Sequence, residues 1–139
     1  MIGQKWASEV REFKDAKTGR TIKQLTSKGN NFHLYFTENS FDAHRNEIIF
    51  YSDRASGVDK TPHENPLYNL FRLNLDSGVI TQLTDEAKSV FGTKTPDSRL
   101  AVYVTGNKIK VLDTETGEIA TIYEEAGNYS IGFPSIAQN

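Results

Sequence analysis

The chain repeats one phrase three times, and that repeat constrains its architecture more than any other feature. Asp15-Ala16-Lys17-Thr18-Gly19 leads into Thr21-Ile22-Lys23-Gln24-Leu25-Thr26. Asp76-Ser77-Gly78 leads into Val79-Ile80-Thr81-Gln82-Leu83-Thr84, and Asp113-Thr114-Glu115-Thr116-Gly117 into Glu118-Ile119-Ala120-Thr121-Ile122-Tyr123. Each copy reads as a turn that feeds a strand, and a recurring strand–turn–strand unit indicates radial repetition of small sheets. The turn glycines Gly78 and Gly117 lie 117 − 78 = 39 residues apart, close to the roughly 40–50 residues of a propeller blade. Gly19 and Gly78 lie 78 − 19 = 59 apart, so the first full unit carries an insertion.

The residues between the turns divide into four-stranded units. In the first, strands are expected at 32–37 (A), 47–52 (B), 68–75 (C) and 79–84 (D); in the second, at 90–93, 100–105, 108–113 and 118–123. The B segments are rich in β-branched and aromatic residues, as a buried strand requires. Gly106-Asn107 supplies a tight hairpin turn between B and C of the second unit. The excess length of the first unit falls in 54–66, where Gly57, Pro62 and Pro66 mark a surface loop. No segment shows helical periodicity.

The two ends carry partial units. Segments 9–14 and 21–26 match strands C and D with no A or B before them, and 131–135 aligns with 91–95 as a strand A. The expected fold is all-β: a partial β-propeller with about two complete four-stranded antiparallel blades and parts of two flanking blades. Residues 1–139 are expected to form the N-terminal fragment of one propeller domain. Its parts are a closing-blade segment at 9–26, blade one at 32–84 with its insertion at 54–66, blade two at 89–124, and the start of blade three at 129–139. Such an array leaves sheet edges open to self-association. The competing expectation is a small stand-alone β-domain with a loose tail.

Composition excludes several classes. A net charge of −2 gives no broad attraction to nucleic acid or anionic membrane, and neither is expected as a partner. The chain has no cysteine, which excludes disulfides and thiolate metal sites and suits a reducing compartment. Lys5, Glu9, Arg11 and Glu12 interrupt the first residues, which therefore lack an apolar leader core. A cytoplasmic location is the expectation.

Several segments resemble the oligogalacturonate lyases, polysaccharide lyases built on a seven-bladed, TolB-like propeller. They are Thr18 to Thr26, His33-Leu34-Tyr35-Phe36-Thr37, Ile49-Phe50-Tyr51-Ser52-Asp53-Arg54, Asn69 to Leu75 and Ser77 to Thr84. The Ser-Asp-Arg and Gln-Leu-Thr elements are shared across TolB-like propellers; His-Leu-Tyr-Phe-Thr is more particular to the lyases. The resemblance covers nearly all of this chain and the N-terminal third of such an enzyme. It implies β-elimination on short galacturonides late in pectin breakdown, with a histidine base and a divalent metal such as manganese. Those motifs lie in later blades and find no counterpart here. The resemblance therefore implies an oligogalacturonide substrate for the whole enzyme, no metal bound by this chain and no activity from it alone. Two other readings stay open: a non-catalytic TolB-like propeller for protein interaction, and the propeller domain of a prolyl-oligopeptidase-like hydrolase.

The candidate substrate contacts are His33, Arg54, Tyr35 and Asn39, and no catalytic residue is assigned. His33 opens an innermost strand where the other units carry Phe91 and Ile131, a polar residue in an apolar place. Arg54 has the planar fork that matches a uronate carboxylate, against a plain structural role with Asp53. The amides of Asn30 and Asn31 precede His33. Trp6 packs the N-terminal segment or stacks on a sugar. His44 reads as a solvated turn residue and His63 as part of the exposed insertion; the three histidines form no ligand-type pair.

Overall fold

The computed structural model describes all residues except 36, 37, 43, 128–130, 138 and 139. Strands are β1 (Lys5–Trp6), β2 (Arg11–Lys14), β3 (Thr21–Gln24), β4 (Asn31–His33), β5 (Phe41–Asp42) and β6 (Glu47–Ser52). They continue with β7 (Asn69–Asn74), β8 (Ile80–Gln82), β9 (Val90–Lys94), β10 (Leu100–Thr105), β11 (Lys108–Asp113) and β12 (Ile119–Glu124). The 54–66 insertion holds two short 3-10 turns, at Arg54–Ser56 and Pro62–Glu64.

All pairings are antiparallel, in three sheets. Sheet 1 runs β1-β8-β7-β6-β4 with β5 also on β6; sheet 2 runs β12-β11-β10-β9; β2 and β3 form a separate hairpin. This is the all-β, partial-propeller arrangement the repeat calls for. The strands of sheet 2 fall on the expected order A to D. In sheet 1, β6 occupies 47–52 as expected, while β7 and β8 are shorter than the expected C and D strands.

The three turns share one construction. In the first, Gly19 N–H donates to the Asp15 carbonyl (2.8 Å) and Thr18 N–H to the Asp15 carboxylate (2.9 Å). In the third, Gly117 N–H donates to the Asp113 carbonyl (2.9 Å) and Thr116 N–H to its carboxylate (3.0 Å). In the second, the residue in Asp15's place is Asn74, not Asp76: Gly78 N–H donates to the Asn74 carbonyl (2.8 Å) and Ser77 N–H to the Asn74 side chain (2.9 Å). The three glycines have φ of +68°, +72° and +77°, a left-handed conformation that glycine adopts without steric cost.

The inner strand of sheet 1 differs from the expected 32–37. Positions 36 and 37 of that expected strand lie outside the described residues; the ladder pairing ends at His33, opposite Phe50, and resumes at Phe41, opposite Ile48, with Ile49 between them on β6. Leu34 turns into the core at 1% exposure, and its N–H is taken by the Ser40 hydroxyl (2.9 Å). The Ser40 carbonyl accepts the Ile49 N–H (2.9 Å), so the excursion is closed at its base. The strand expected at 131–135 is not formed: residues 131–137 have no regular structure. At the other end β1, not expected as a strand, pairs with the outer edge of β8, and Trp6 packs edge-on against Phe71 with ring centroids 5.5 Å apart.

Alternation along the strands splits the apolar residues between two cores. Ile49, Tyr51, Leu70 and Leu83 of sheet 1 meet Val90, Ala101, Tyr103 and Leu112 of sheet 2. Phe50, Phe71, Leu73 and Ile80 face the other way, toward Trp6 and Leu25 of the N-terminal segment. Polar contacts reinforce the contact between the sheets. The Tyr51 hydroxyl donates to the Gly92 carbonyl (2.8 Å) and accepts the Gly92 N–H (2.7 Å). Burial pushes the Tyr51 hydroxyl up to about 12, so it stays a donor at any physiological pH. Glu86, on the connection between the sheets, accepts from the Tyr103 hydroxyl (2.8 Å) and from Lys110 Nζ (2.8 Å). Arg45 of sheet 1 donates to the Thr114 hydroxyl (2.9 Å) and the Glu115 carboxylate (3.0 Å) of sheet 2.

Tyr51→Phe removes a buried hydroxyl and leaves a strand N–H and carbonyl without their partner. It is expected to lower the unfolding free energy by about 1–3 kcal/mol, read as a shift of the urea midpoint. An unchanged midpoint would show that the contact carries no stability.

Candidate functional site

Two regions compete as the functional site: the inner rim, where β4 and β9 run, and the cleft around Arg54. At the rim His33 closes β4, opposite Phe50, with its Nδ1 against the Leu34 carbonyl. Its side chain is exposed and borders two cavities. One, of about 430 Å³, is lined by Phe32, Leu34, Tyr35, Tyr51, Phe91 and Phe133. The other, of about 190 Å³, runs between sheet 1 and the Leu25-Thr26 segment. Tyr35 stands on the excursion with its ring 5.3 Å from that of Phe133. Asn39 is exposed on the same excursion, where its side-chain oxygen accepts the Phe41 N–H (3.0 Å). His33 and Tyr35 therefore border the same cavity, while Asn39 is shown only as exposed and turned to the Phe41 N–H.

Glu38 joins them, a residue the sequence did not single out. Its carboxylate accepts the Thr93 hydroxyl across the sheet boundary. Behind it Lys94 is 7% exposed and donates to the Ser98 hydroxyl (2.8 Å). Burial lowers the Lys94 ammonium, and Asp42 and Glu38 oppose that shift. The rim thus combines aromatic rings, a histidine, an amide and one carboxylate.

Arg54 lies elsewhere, in the floor of a cleft of about 510 Å³ lined in part by Glu9, Lys28, Asp53 and Val58. Its side chain is 3% exposed, and its ion pair with Glu9 (2.9 Å) involves a carboxylate that is 7% exposed. Nε donates to the Ser52 hydroxyl (3.0 Å); the other terminal nitrogen donates to the Asn31 side chain (2.8 Å) and the Lys28 carbonyl (3.3 Å). The guanidinium carbon sits 5.6 and 5.8 Å from the ring centres of Phe50 and Phe71, within cation–π range. Every donor nitrogen is engaged, and the fork ties the N-terminal segment to the 28–31 stretch that enters β4. Asp53 completes this junction: its carboxylate accepts the Asn30 N–H and side-chain amide, both at 2.7 Å.

Glu9 is the part that sequence reading missed, because nothing local links it to a residue 45 positions away. Burial acts to raise its carboxyl. The N–H groups of Ser27 and Lys28 (2.7 and 3.0 Å) and the Arg54 charge outweigh that and hold it below its ordinary 4.5. Trp6 lines the same cleft. His44 is exposed in the turn before β6, and His63 in the Pro62–Glu64 turn, far along the chain from His33.

The blades, their shared core and the rim define a propeller-type array. No protein-family model matches the chain, and no curated protein matches it. Among solved structures it is similar to an oligogalacturonate lyase in complex with manganese, with TM-score 0.76 and 23% identity over 95% of this chain and 34% of that one. It is also similar to the oligogalacturonate lyase of Vibrio parahaemolyticus, with TM-score 0.75 and 24% identity over 94% of this chain and 33% of that one. At these identities the likeness is one of fold, and the chain spans about a third of the length of those enzymes. Among the described residues no group of three His, Cys, Asp or Glu side chains is placed to hold a metal ion. These residues do not fit a metal centre. No helix among them is long and apolar enough to cross a membrane.

Glu9→Ala leaves the Arg54 guanidinium buried without its counter-ion and is expected to cost about 3–5 kcal/mol. Glu9→Gln tests the charge by pH. A depressed carboxyl adds stability that is complete above its ordinary 4.5 and is lost as pH falls through its lower folded value. The wild-type urea midpoint should fall through that acid window more steeply than that of Glu9→Gln. Parallel curves would show that the pair is not ionised as described.

Proposed function

We propose that this chain supplies the N-terminal blades of an enzyme related to the oligogalacturonate lyases, which acts by β-elimination on short pectin-derived galacturonides. The observation that carries this reading is the likeness of fold over 95% of the chain to a solved oligogalacturonate lyase. In this reading the rim made by His33, Tyr35 and Asn39 contacts substrate. The aromatic rings offer stacking surface to a sugar ring, and the histidine and amide offer hydrogen bonds. Arg54 acts at one remove, holding the 28–31 stretch that aims β4 at the rim.

The elimination step needs a base at the proton beside the uronate carboxyl and positive charge to offset the carbanion. The described residues supply neither in one place, so the chemistry belongs to blades outside this chain, and a divalent metal there would polarise the carboxylate. The chain alone is proposed to bind without turning substrate over.

The test uses the 139-residue chain with digalacturonate and manganese. The expected outcome is no rise in unsaturated-uronate absorbance, together with a substrate-dependent shift of the His33 ring signals in NMR that is lost in His33→Ala. Sustained product formation would overturn the division of labour between blades. His33 signals that stay fixed at saturating digalacturonate would remove the rim from the binding site. The genomic reading frame past Asn139 offers an independent check, with further four-stranded repeats and a histidine-rich cluster expected.

A further inference from the structure

The cavity beside His33 takes its walls from two blades. Phe32, Leu34 and Tyr35 come from blade one, and Phe91 comes from β9 of blade two. Its width therefore depends on how the two inner edges are tied together. Tyr51 makes one tie. Its ring lines the cavity, and its hydroxyl holds both backbone groups of Gly92, the residue after Phe91. That tie fixes β9 against β6. It does not involve the 34–40 segment, which carries Tyr35.

The described part of that segment is pinned at two places. At its base, the Ser40 hydroxyl accepts the Leu34 N–H (2.9 Å) and the Ser40 carbonyl accepts the Ile49 N–H (2.9 Å). Both bonds stay within blade one. At its tip, the Glu38 N–H donates to the Tyr35 carbonyl (2.7 Å) and closes a turn over 35–38. The Glu38 carboxylate then crosses to blade two and accepts the Thr93 hydroxyl. Thr93 is 4% exposed. It lies two positions from Phe91 on β9, and alternate residues of a strand share a face. The bond therefore runs from the turn that carries Tyr35 to the face of β9 that carries Phe91. A hydroxyl on an ionised acceptor is one of the stronger hydrogen bonds. The buried Lys94 ammonium, next along β9, attracts the same carboxylate. Blade two builds its own inner strand without such a detour. There β9 runs unbroken over Val90–Lys94, whereas in blade one pairing stops at His33 and resumes at Phe41.

We propose that Glu38 and Thr93 form a clasp between blades one and two that sets the width of the cavity beside His33, with Glu38 a positioning residue that acts on ligand through Tyr35. The clasp itself rests on the geometry of the two blades. Its effect on galacturonide binding rests on the rim being the substrate site.

The test compares Thr93→Val, Thr93→Ser, Glu38→Ala and the double variant Glu38→Ala with Thr93→Val, all in the full chain. Near-ultraviolet circular dichroism of Trp6 verifies that each is folded. Without ligand, Thr93→Val and Glu38→Ala are expected to lose the NMR cross-peaks between the Tyr35 and Phe133 rings, whose centroids are 5.3 Å apart in the wild type. Thr93→Ser keeps the hydroxyl and is expected to keep the cross-peaks. With digalacturonate, Thr93→Val and Glu38→Ala are each expected to raise Kd about tenfold. The double variant should be no weaker than the worse single one, because both remove the same bond. A lost buried hydrogen bond with no positioning role would lower the thermal midpoint and leave the ring contact in place. Cross-peaks that survive in folded Thr93→Val overturn the proposal, as does a Thr93→Ser that behaves like Thr93→Val. Additive effects on Kd in the double variant also overturn it. If the wild type binds no digalacturonate, the rim fails as a substrate site, and the ring contact alone decides for or against the clasp.

Discussion

Among the described residues sheet 1 is packed on both faces, and the rest of the structure hangs on that. The constraint is the period of two along β6 and β7. Ile49 and Tyr51 point toward sheet 2, and Ile48 and Phe50 point toward the N-terminal segment. Each buried aliphatic or aromatic side chain is worth about 1.5–3 kcal/mol relative to exposure, so a strand that feeds two cores at once is held from both sides. Sheet 2 takes its packed face from sheet 1, whereas the N-terminal segment is joined to sheet 1 through Leu25 and the Glu9–Arg54 pair. Burial falls away accordingly: β6 is buried along most of its length, whereas β12 and both hairpin strands are exposed almost throughout.

What could be read from the sequence follows from how local each determinant is. Strands β6, β10 and β11 match their expected bounds because apolar runs between turn residues are local signals. The hairpin turn at Gly106 is likewise local, with Gly106 at φ +60° and the flanking residues Thr105 and Lys108 in register. Three features were hidden. The break after His33 depends on Leu34 finding a place in a core built mostly from residues far along the chain. The second turn uses Asn74 where the repeated phrase would put an aspartate, because an amide oxygen and a carboxylate oxygen accept the same backbone N–H groups. The pairing of β1 with β8 spans more than seventy positions and rests on two residues, Lys5 and Trp6.

The candidate site divides along the same line. His33 stands out in the sequence because a polar residue replaces an apolar one in a repeat, and in the structure it is exposed and borders one cavity with Tyr35. Arg54 was notable for its chemistry, which is the chemistry of carboxylate recognition. The carboxylate the structure gives it belongs to Glu9 of its own chain. A uronate and a glutamate side chain ask for the same fork, so the sequence alone did not show Glu9 as its partner.

The hydroxyl of Tyr51 has one more consequence. By taking the Gly92 N–H and carbonyl, a side chain of sheet 1 fills the role of a neighbouring strand at the inner edge of sheet 2. The two blades therefore share a piece of hydrogen-bonding ladder as well as a core, and neither can open without disrupting the other. Blades one and two then form a single cooperative unit, while the hairpin, joined to them by the Glu9–Arg54 pair, the Lys23 ammonium on the Leu75 carbonyl and the packing of Leu25, is held by fewer contacts and is expected to open at lower free energy.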